Sequence, residues 1–331
     1  MKKILLVNID SKFNIAIRKL YKHYLSKESH HVEMINVGMS AFPSKRFETI
    51  DGSGYDKIYC SNLFEINQNR FEVINCVDII IGGIGSINPS LNLDEEIEKL
   101  QPYYFDDEDT SHGFITRGCI RNCWFCKVPK FEGKLKKYNE LDDIIQHDKV
   151  KFYDNNIFAY DKCEEVFEDL IKRNIKVDFN QGLDFRLATD KKMELLSKLR
   201  YMGDYIFAFD DIKYEKLLDE KMLIMKKYLR KDWQMRFYIY YNPDFMTLYD
   251  MIYRVEWCRT NKVLPYIMRD KACWGSEDDH FIKDYSAYCN QPSFFKKMKF
   301  NDFLLKRHTN EDRIRKSKSL YNKFSINDTK Y

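Results

Sequence analysis

An α/β fold built as two successive parallel sheets is what this 331-residue sequence predicts. Two observations carry that expectation. Short apolar or β-branched runs alternate with amphipathic stretches along most of the chain, the pattern of strand-helix-strand units. The alternation breaks once, at Gln101-Pro102-Tyr103-Tyr104 and the acidic run from Phe105 to Thr110, where a connector belongs. Composition agrees: 44% hydrophobic residues are enough to bury large cores, and a net charge of +4 provides no overall field pointing to nucleic acid or a membrane. An odd number of cysteines, nine, three of them clustered, fits a reducing cytoplasm better than a secreted disulfide framework.

In the first segment, strands are expected at residues 4–9, 32–37, 58–63 and 77–81, and an amphipathic helix at 13–25. The opening Met1-Lys2-Lys3 and Ile4-Leu5-Leu6-Val7 look like the start of a signal peptide, but the apolar run stops at Asn8 and Asp10, which makes it a buried first strand. Together these elements predict a Rossmann-like parallel sheet with helices on its faces. Ligands of such sheets sit beyond the carboxyl ends of the strands, here Asp10-Ser11, Ser61-Asn62-Leu63 and Gly82-Gly83-Ile84-Gly85-Ser86. The glycines also suit a plain tight turn, with Ser86 or Asn88 starting a helix at 91–100. A dinucleotide site is disfavoured, because the Gly-x-Gly-x-x-Gly register is absent.

The densest chemistry is Gly118-Cys119-Ile120-Arg121-Asn122-Cys123-Trp124-Phe125-Cys126, a Cys-x3-Cys-x2-Cys run after an expected strand at 113–117. Three ordinary thiols are one reading, and a zinc site completed by Cys163, Cys273 or His112 is another. A third is that three thiolates hold three irons of a [4Fe-4S] cube and leave the fourth iron open to a small ligand. The spacing, the strand ahead of it and Phe125 before the last cysteine resemble the radical S-adenosylmethionine (radical SAM) superfamily.

Beyond the cysteines, strands are expected at 150–154, 177–179, 205–209, 236–241 and 263–268, with helices at 164–173 and 191–199. With the strand before the cysteines they number six, which predicts a parallel sheet curved into part of a barrel. Radical SAM cores resemble this partial (β/α)6 barrel of TIM type. The expected organisation is 1–105, Rossmann-like; 112–270, barrel; 271–305, helical cap; and 306–331, a mobile tail carrying Arg313, Arg315, Lys316 and Lys318.

The resemblance implies an enzyme that holds a [4Fe-4S] cluster on Cys119, Cys123 and Cys126. It would cleave S-adenosylmethionine (SAM) reductively to a 5'-deoxyadenosyl radical acting on an unidentified substrate, with electrons from a flavodoxin or ferredoxin. By position, Phe125, Asp154, Asn155, Gln181, Arg186, Val263 and Ile267 are the expected cofactor-binding residues, and Asp184, Asp210, Asp211 and Asn242 face the same end of the strands. The first segment resembles cobalamin-binding domains in Ser61-x-Leu63 and Gly82-Gly83. Its Asp-x-His-x-x-Gly loop, however, reads Asp10-Ser11-Lys12-Phe13-Asn14-Ile15, with Lys12 where the cobalt-ligating histidine would stand. The expectation is therefore a scaffold or substrate-recognition cover. A cobalamin-dependent methyltransferase is the alternative, and a noncatalytic zinc- or Fe-S-stabilised binding module is the rival from another class. Sulfur insertion is weakest, since an auxiliary cluster would have to assemble from Cys163, Cys258, Cys273 and Cys289 with no tight motif. No membrane partner is expected, and nucleic acid is compatible with the basic tail but not indicated.

Overall fold

The structure, a computed structural model, describes residues 1–10, 13–40, 44–89 and 91–324. Ser11, Lys12 and residues 325–331 of the expected tail lie outside the described residues. The chain forms two compact units, Met1–Val150 and Lys151–Tyr331. The finer four-part division read from the sequence stands as a proposal.

In the first unit, β1 (Lys2–Asn8), β2 (His30–Asn36), β4 (Lys57–Ser61) and β6 (Ile79–Gly82) form a parallel sheet in the order β2-β1-β4-β6. Central β1 is buried from Ile4 to Asn8 because both of its faces are covered. Ile4 and Leu6 pack with Ile17 and Leu20 of α1 (Ile15–Leu25) and with Ile97 of the short α2 (Glu95–Glu98). Asn14 caps α1, its side chain accepting from Ile17 N at 3.2 Å. Leu5 and Val7 pack on the other face with Ile50 and Phe71. Those two belong to β3 (Glu48–Asp51) and β5 (Phe71–Ile74), a parallel pair. A small second sheet thus covers the face where a helix was expected. The expected helix at 91–100 shrinks to α2, which starts after Asp94, so neither Ser86 nor Asn88 caps it.

The strand expected at 113–117 is divided. β7 (Thr110–Gly113) ends before Phe114, and β8 (Thr116–Arg117) pairs antiparallel with β9 (Lys136–Lys137). Between them lies α3 (Val128–Phe131), and after them α4 (Leu141–Ile144). The acidic run is anchored, Arg18 gripping Glu108 with bonds of 2.6 and 3.0 Å.

The second unit continues the strand-helix alternation. β10 (Lys149–Phe152), α5 (Cys163–Lys172), β11 (Lys176–Phe179), α6 (Asp190–Lys198) and the short β12 (Arg200–Tyr201) come first. β13 (Tyr205–Ala208), α7 (Glu215–Tyr228), β14 (Met235–Tyr241), α8 (Leu248–Thr260) and β15 (Leu264–Arg269) follow. The strands run in the orders β12-β11-β10 and β13-β14-β15, and a bridge between Leu183 and Phe207 joins the two groups. The expected strands are therefore present, each within a few residues of its expected bounds, but as two parallel sheets.

Four helices close the unit: α9 (Asp279–Cys289), α10 (Pro292–Lys297), α11 (Phe300–Arg307) and α12 (Glu311–Phe324). Tyr285, Tyr288, Phe300 and Tyr321 interlock as aromatic pairs among them. Fully buried Asp284 accepts two 2.9 Å bonds from Arg313 and one from His308, with Arg307 at 3.2 Å. Residues 311–324, expected as a mobile tail, are instead a helix tied down by this carboxylate and by Tyr321. Among the described residues no helix is long and apolar enough to cross a membrane.

Candidate functional site

In the first unit, the cysteine loop is pinned where it leaves β8. Gly118 has φ +79°, and a Cβ there would stand 2.3 Å from Lys134 O, so only glycine fits. The Glu132 carboxylate accepts from Arg117 Nε at 2.8 Å and from Gly118 N at 3.0 Å, while Cys119 N donates to Gly133 O at 3.2 Å. Within the loop, Arg121 N donates to Cys119 Sγ at 3.3 Å, and Cys126 N closes a turn onto Cys123 O at 3.0 Å. The Phe125 ring meets Trp124 edge-on at 5.5 Å.

Cys119, Cys123 and Cys126 are half-buried, unlike the cysteines of the cores. Burial pushes Cys60, Cys163 and Cys273 up to about 12 and Cys258 and Cys289 well above their ordinary value, which holds those five as thiols. Cys163, Cys258, Cys273 and Cys289 also sit on four separate elements, α5, α8, a short turn and α9. His112 is stacked on Phe13 with ring centroids 3.8 Å apart. Among the described residues no three His, Cys, Asp or Glu side chains are drawn together as a metal-binding group. The fit to an iron-sulfur cluster is thus carried by the donor set: three accessible thiols on one anchored loop, one already accepting a backbone N–H.

The ends of the amino-terminal sheet do not fit cobalamin in the same way. Ser61 Oγ already accepts from Asn14 Nδ2 at 2.8 Å, and Asp10 accepts from Leu63 N and from the Asn67 amide. Gly83 has φ +96°, and its Cβ would fall 2.3 Å from Asn62 O; a Cβ on Gly85 would fall 2.5 Å from the Phe64 backbone. These glycines let the loop after β6 lie against the loop after β4, and no ligand is needed to explain them.

In the second unit, the carboxyl ends of the strands gather polar groups. Asp154 is buried, Asn155 is half-buried, and Asn156 donates to Asp184 at 3.3 Å. Asp184 holds Arg186 with two bonds of 2.7 and 3.2 Å, and the guanidinium lies 4.8 Å from the Tyr214 ring. Gln181 is exposed. Val263 and Ile267 are buried, and both backbone groups of Ile267 bond the Asn290 side chain at 2.7 and 3.1 Å, so the strand edge is already paired there.

Sequence reasoning missed Arg254. It lies on α8 in the register of Met251 and Cys258, wholly buried, and donates to Phe209 O at 2.9 Å and Tyr240 O at 3.1 Å, the carboxyl ends of β13 and β14. That apolar register was the available signal. Beside it, burial lifts the Asp210 carboxyl to about 6, with Asp184 adding to the rise while Arg254, the Tyr240 N–H and Arg186 oppose it.

Fold and site together define an α/β protein with a thiol-bearing loop in one unit and a carboxylate-guanidinium cluster at the strand ends of the other. No family model matches the chain. It is 27% identical over 133 residues to the ribosomal protein uS12 methylthiotransferase RimO of Campylobacter jejuni, a match covering 35% of this chain and 30% of that protein. To the protein of the same name from Helicobacter pylori it is 24% identical over 238 residues, 59% of this chain and 53% of the relative. The chain therefore spans about a third to a half of the length of these curated relatives.

Proposed function

We propose that this chain is a radical SAM enzyme whose cluster is held by Cys119, Cys123 and Cys126. The observation that carries the reading is the Cys-x3-Cys-x2-Cys loop, anchored at Gly118 and Glu132 and chemically distinct from the buried thiols elsewhere. Partial likeness to the methylthiotransferases supports it. A [4Fe-4S] cluster on three thiolates supplies an open iron for the amino and carboxylate groups of SAM, and the electron that cleaves the sulfonium. The protein's residues bind, orient and exclude water. In this reading Phe125 shields the cluster, Asp154 and Asn155 meet the methionine amine, and the Arg186 guanidinium, oriented by Asp184, faces a carboxylate. Gln181, Val263 and Ile267 complete the proposed set with less support, given the exposure of the first and the paired backbone of the last. A flavodoxin or ferredoxin supplies the electron, and the reaction takes place in the cytoplasm.

Methylthiolation of a ribosomal protein is the second reading, favoured by the names of the relatives. A sulfur-donating auxiliary cluster would need a further cysteine set, and the buried thiols of the second unit are dispersed, so the general assignment is preferred. Anaerobic reconstitution tests it: about four irons per chain, lost when all three loop cysteines become alanine, are expected. Tight zinc in place of iron would instead favour a noncatalytic metal-stabilised module.

A further inference from the structure

The strands of the second unit carry two different populations. On β13 and β14, Tyr205, Phe207, Met235, Phe237, Ile239 and Tyr241 are buried. The alternate positions hold Ile206, Arg236 and Tyr238, with Asp178 on β11 and Tyr266 on β15, all half-buried. A packed barrel interior is filled by branched apolar side chains. Here those alternate positions, with Asn180, Met202 and Asp204, line a cavity of about 290 Å³.

Both signs of charge face that cavity. Arg236 donates to one oxygen of Asp204 from Nε at 2.9 Å and from Nη2 at 2.6 Å, leaving Nη1 without a hydrogen bond among the described residues. Asp178 is tied to Lys151 at 3.3 Å. The Tyr238 and Tyr266 rings lie 5.4 Å apart, and neither hydroxyl bonds another group among the described residues. A simple anion would meet two carboxylates, and a simple cation would meet Arg236. A ligand with one charge of each sign meets neither conflict. The volume lies at the lower edge of the roughly 300–1,000 Å³ typical of small-molecule sites, which limits the occupant to something small.

We propose that this cavity binds a small zwitterion of the amino-acid class, its ammonium group toward Asp178 and its carboxylate toward Arg236 and the tyrosine hydroxyls. Met202 and Ile206 supply the apolar contact for its side chain. The site needs neither the cysteine loop nor SAM. Isothermal titration of the full chain with each proteinogenic amino acid, and with acetate and methylamine as half-ligands, tests it. At least one amino acid should bind one-to-one with Kd below about 1 mM, and each half-ligand about tenfold or more weaker. Arg236→Gln and Asp178→Asn should each weaken that binding about tenfold, and Tyr238→Phe, which removes a single oxygen, severalfold. Binding should persist in the triple cysteine-to-alanine variant, which separates this site from the cluster assignment. Absence of amino-acid binding, equal affinity for acetate or methylamine, or binding unchanged in both Arg236→Gln and Tyr238→Phe would overturn the proposal.

Discussion

A methyl group added at Gly83 would meet Asn62 O at 2.3 Å on a backbone with φ +96°, whereas one at Gly54, φ +85°, would meet nothing within 4 Å. Strain alone costs about 1 kcal/mol, and a backbone collision adds about 1–3 kcal/mol. Gly83→Ala should therefore destabilise the chain by roughly 2–4 kcal/mol and Gly54→Ala by about 1 kcal/mol in denaturant unfolding; equal losses would contradict the packing role given to Gly83. Asp210 offers a test through pH. Burial raises its carboxyl from 3.8 to about 6, so the folded state holds the proton more tightly than the unfolded chain. The resulting stability is fully present below about pH 4 and is lost as pH rises through 6. Asp210→Asn should consequently be more stable than the parent at pH 8, by about 1–2 kcal/mol after solvent screening, with the advantage gone by pH 4. A difference independent of pH would show that Asp210 does not titrate in this way.

Helix α12 is held to α9 through the Asp284 carboxylate and the Tyr285–Tyr321 ring pair. Burial alone would raise the pKa of Asp284, but bonds from Arg313 and His308 outweigh it and hold the group below the usual carboxylate value. Its contribution is present above about pH 4 and is lost on further acidification. Asp284→Ala should cost about 3 kcal/mol in thermal unfolding at neutral pH, and the difference should shrink in acid. Little loss at neutral pH would show that the aromatic contacts suffice. This helix also marks where the sequence stops being legible. From Glu311 to Phe324 basic residues dominate, and the anchors, Arg313 and Tyr321, act through partners 29 and 65 residues away. β3 was hidden for a related reason: Glu48-Thr49-Ile50-Asp51 buries only Ile50, so no alternation announces it. The strands of the second unit were legible because their buried positions, such as Val177, Phe179, Phe207, Phe237 and Ile239, recur with period two. The cysteine loop was legible from spacing alone, whereas Arg254 and the Asp184–Arg186 pair required the fold.

At the scale of the molecule, the first unit carries an anchored three-thiol loop and the second a set of polar strand ends. Each unit explains its own architecture without a ligand: the amino-terminal loops close on themselves at Gly83 and Gly85, and α9 and α12 meet at Asp284. What neither explains is why three accessible thiols share one loop. Reductive cleavage of SAM tests the answer most directly. Protein reconstituted with iron and sulfide, reduced with dithionite and incubated with SAM should release 5'-deoxyadenosine and methionine, detected by chromatography, and the triple cysteine-to-alanine variant should release none. A fully reduced, SAM-binding cluster that leaves SAM intact would contradict the assignment.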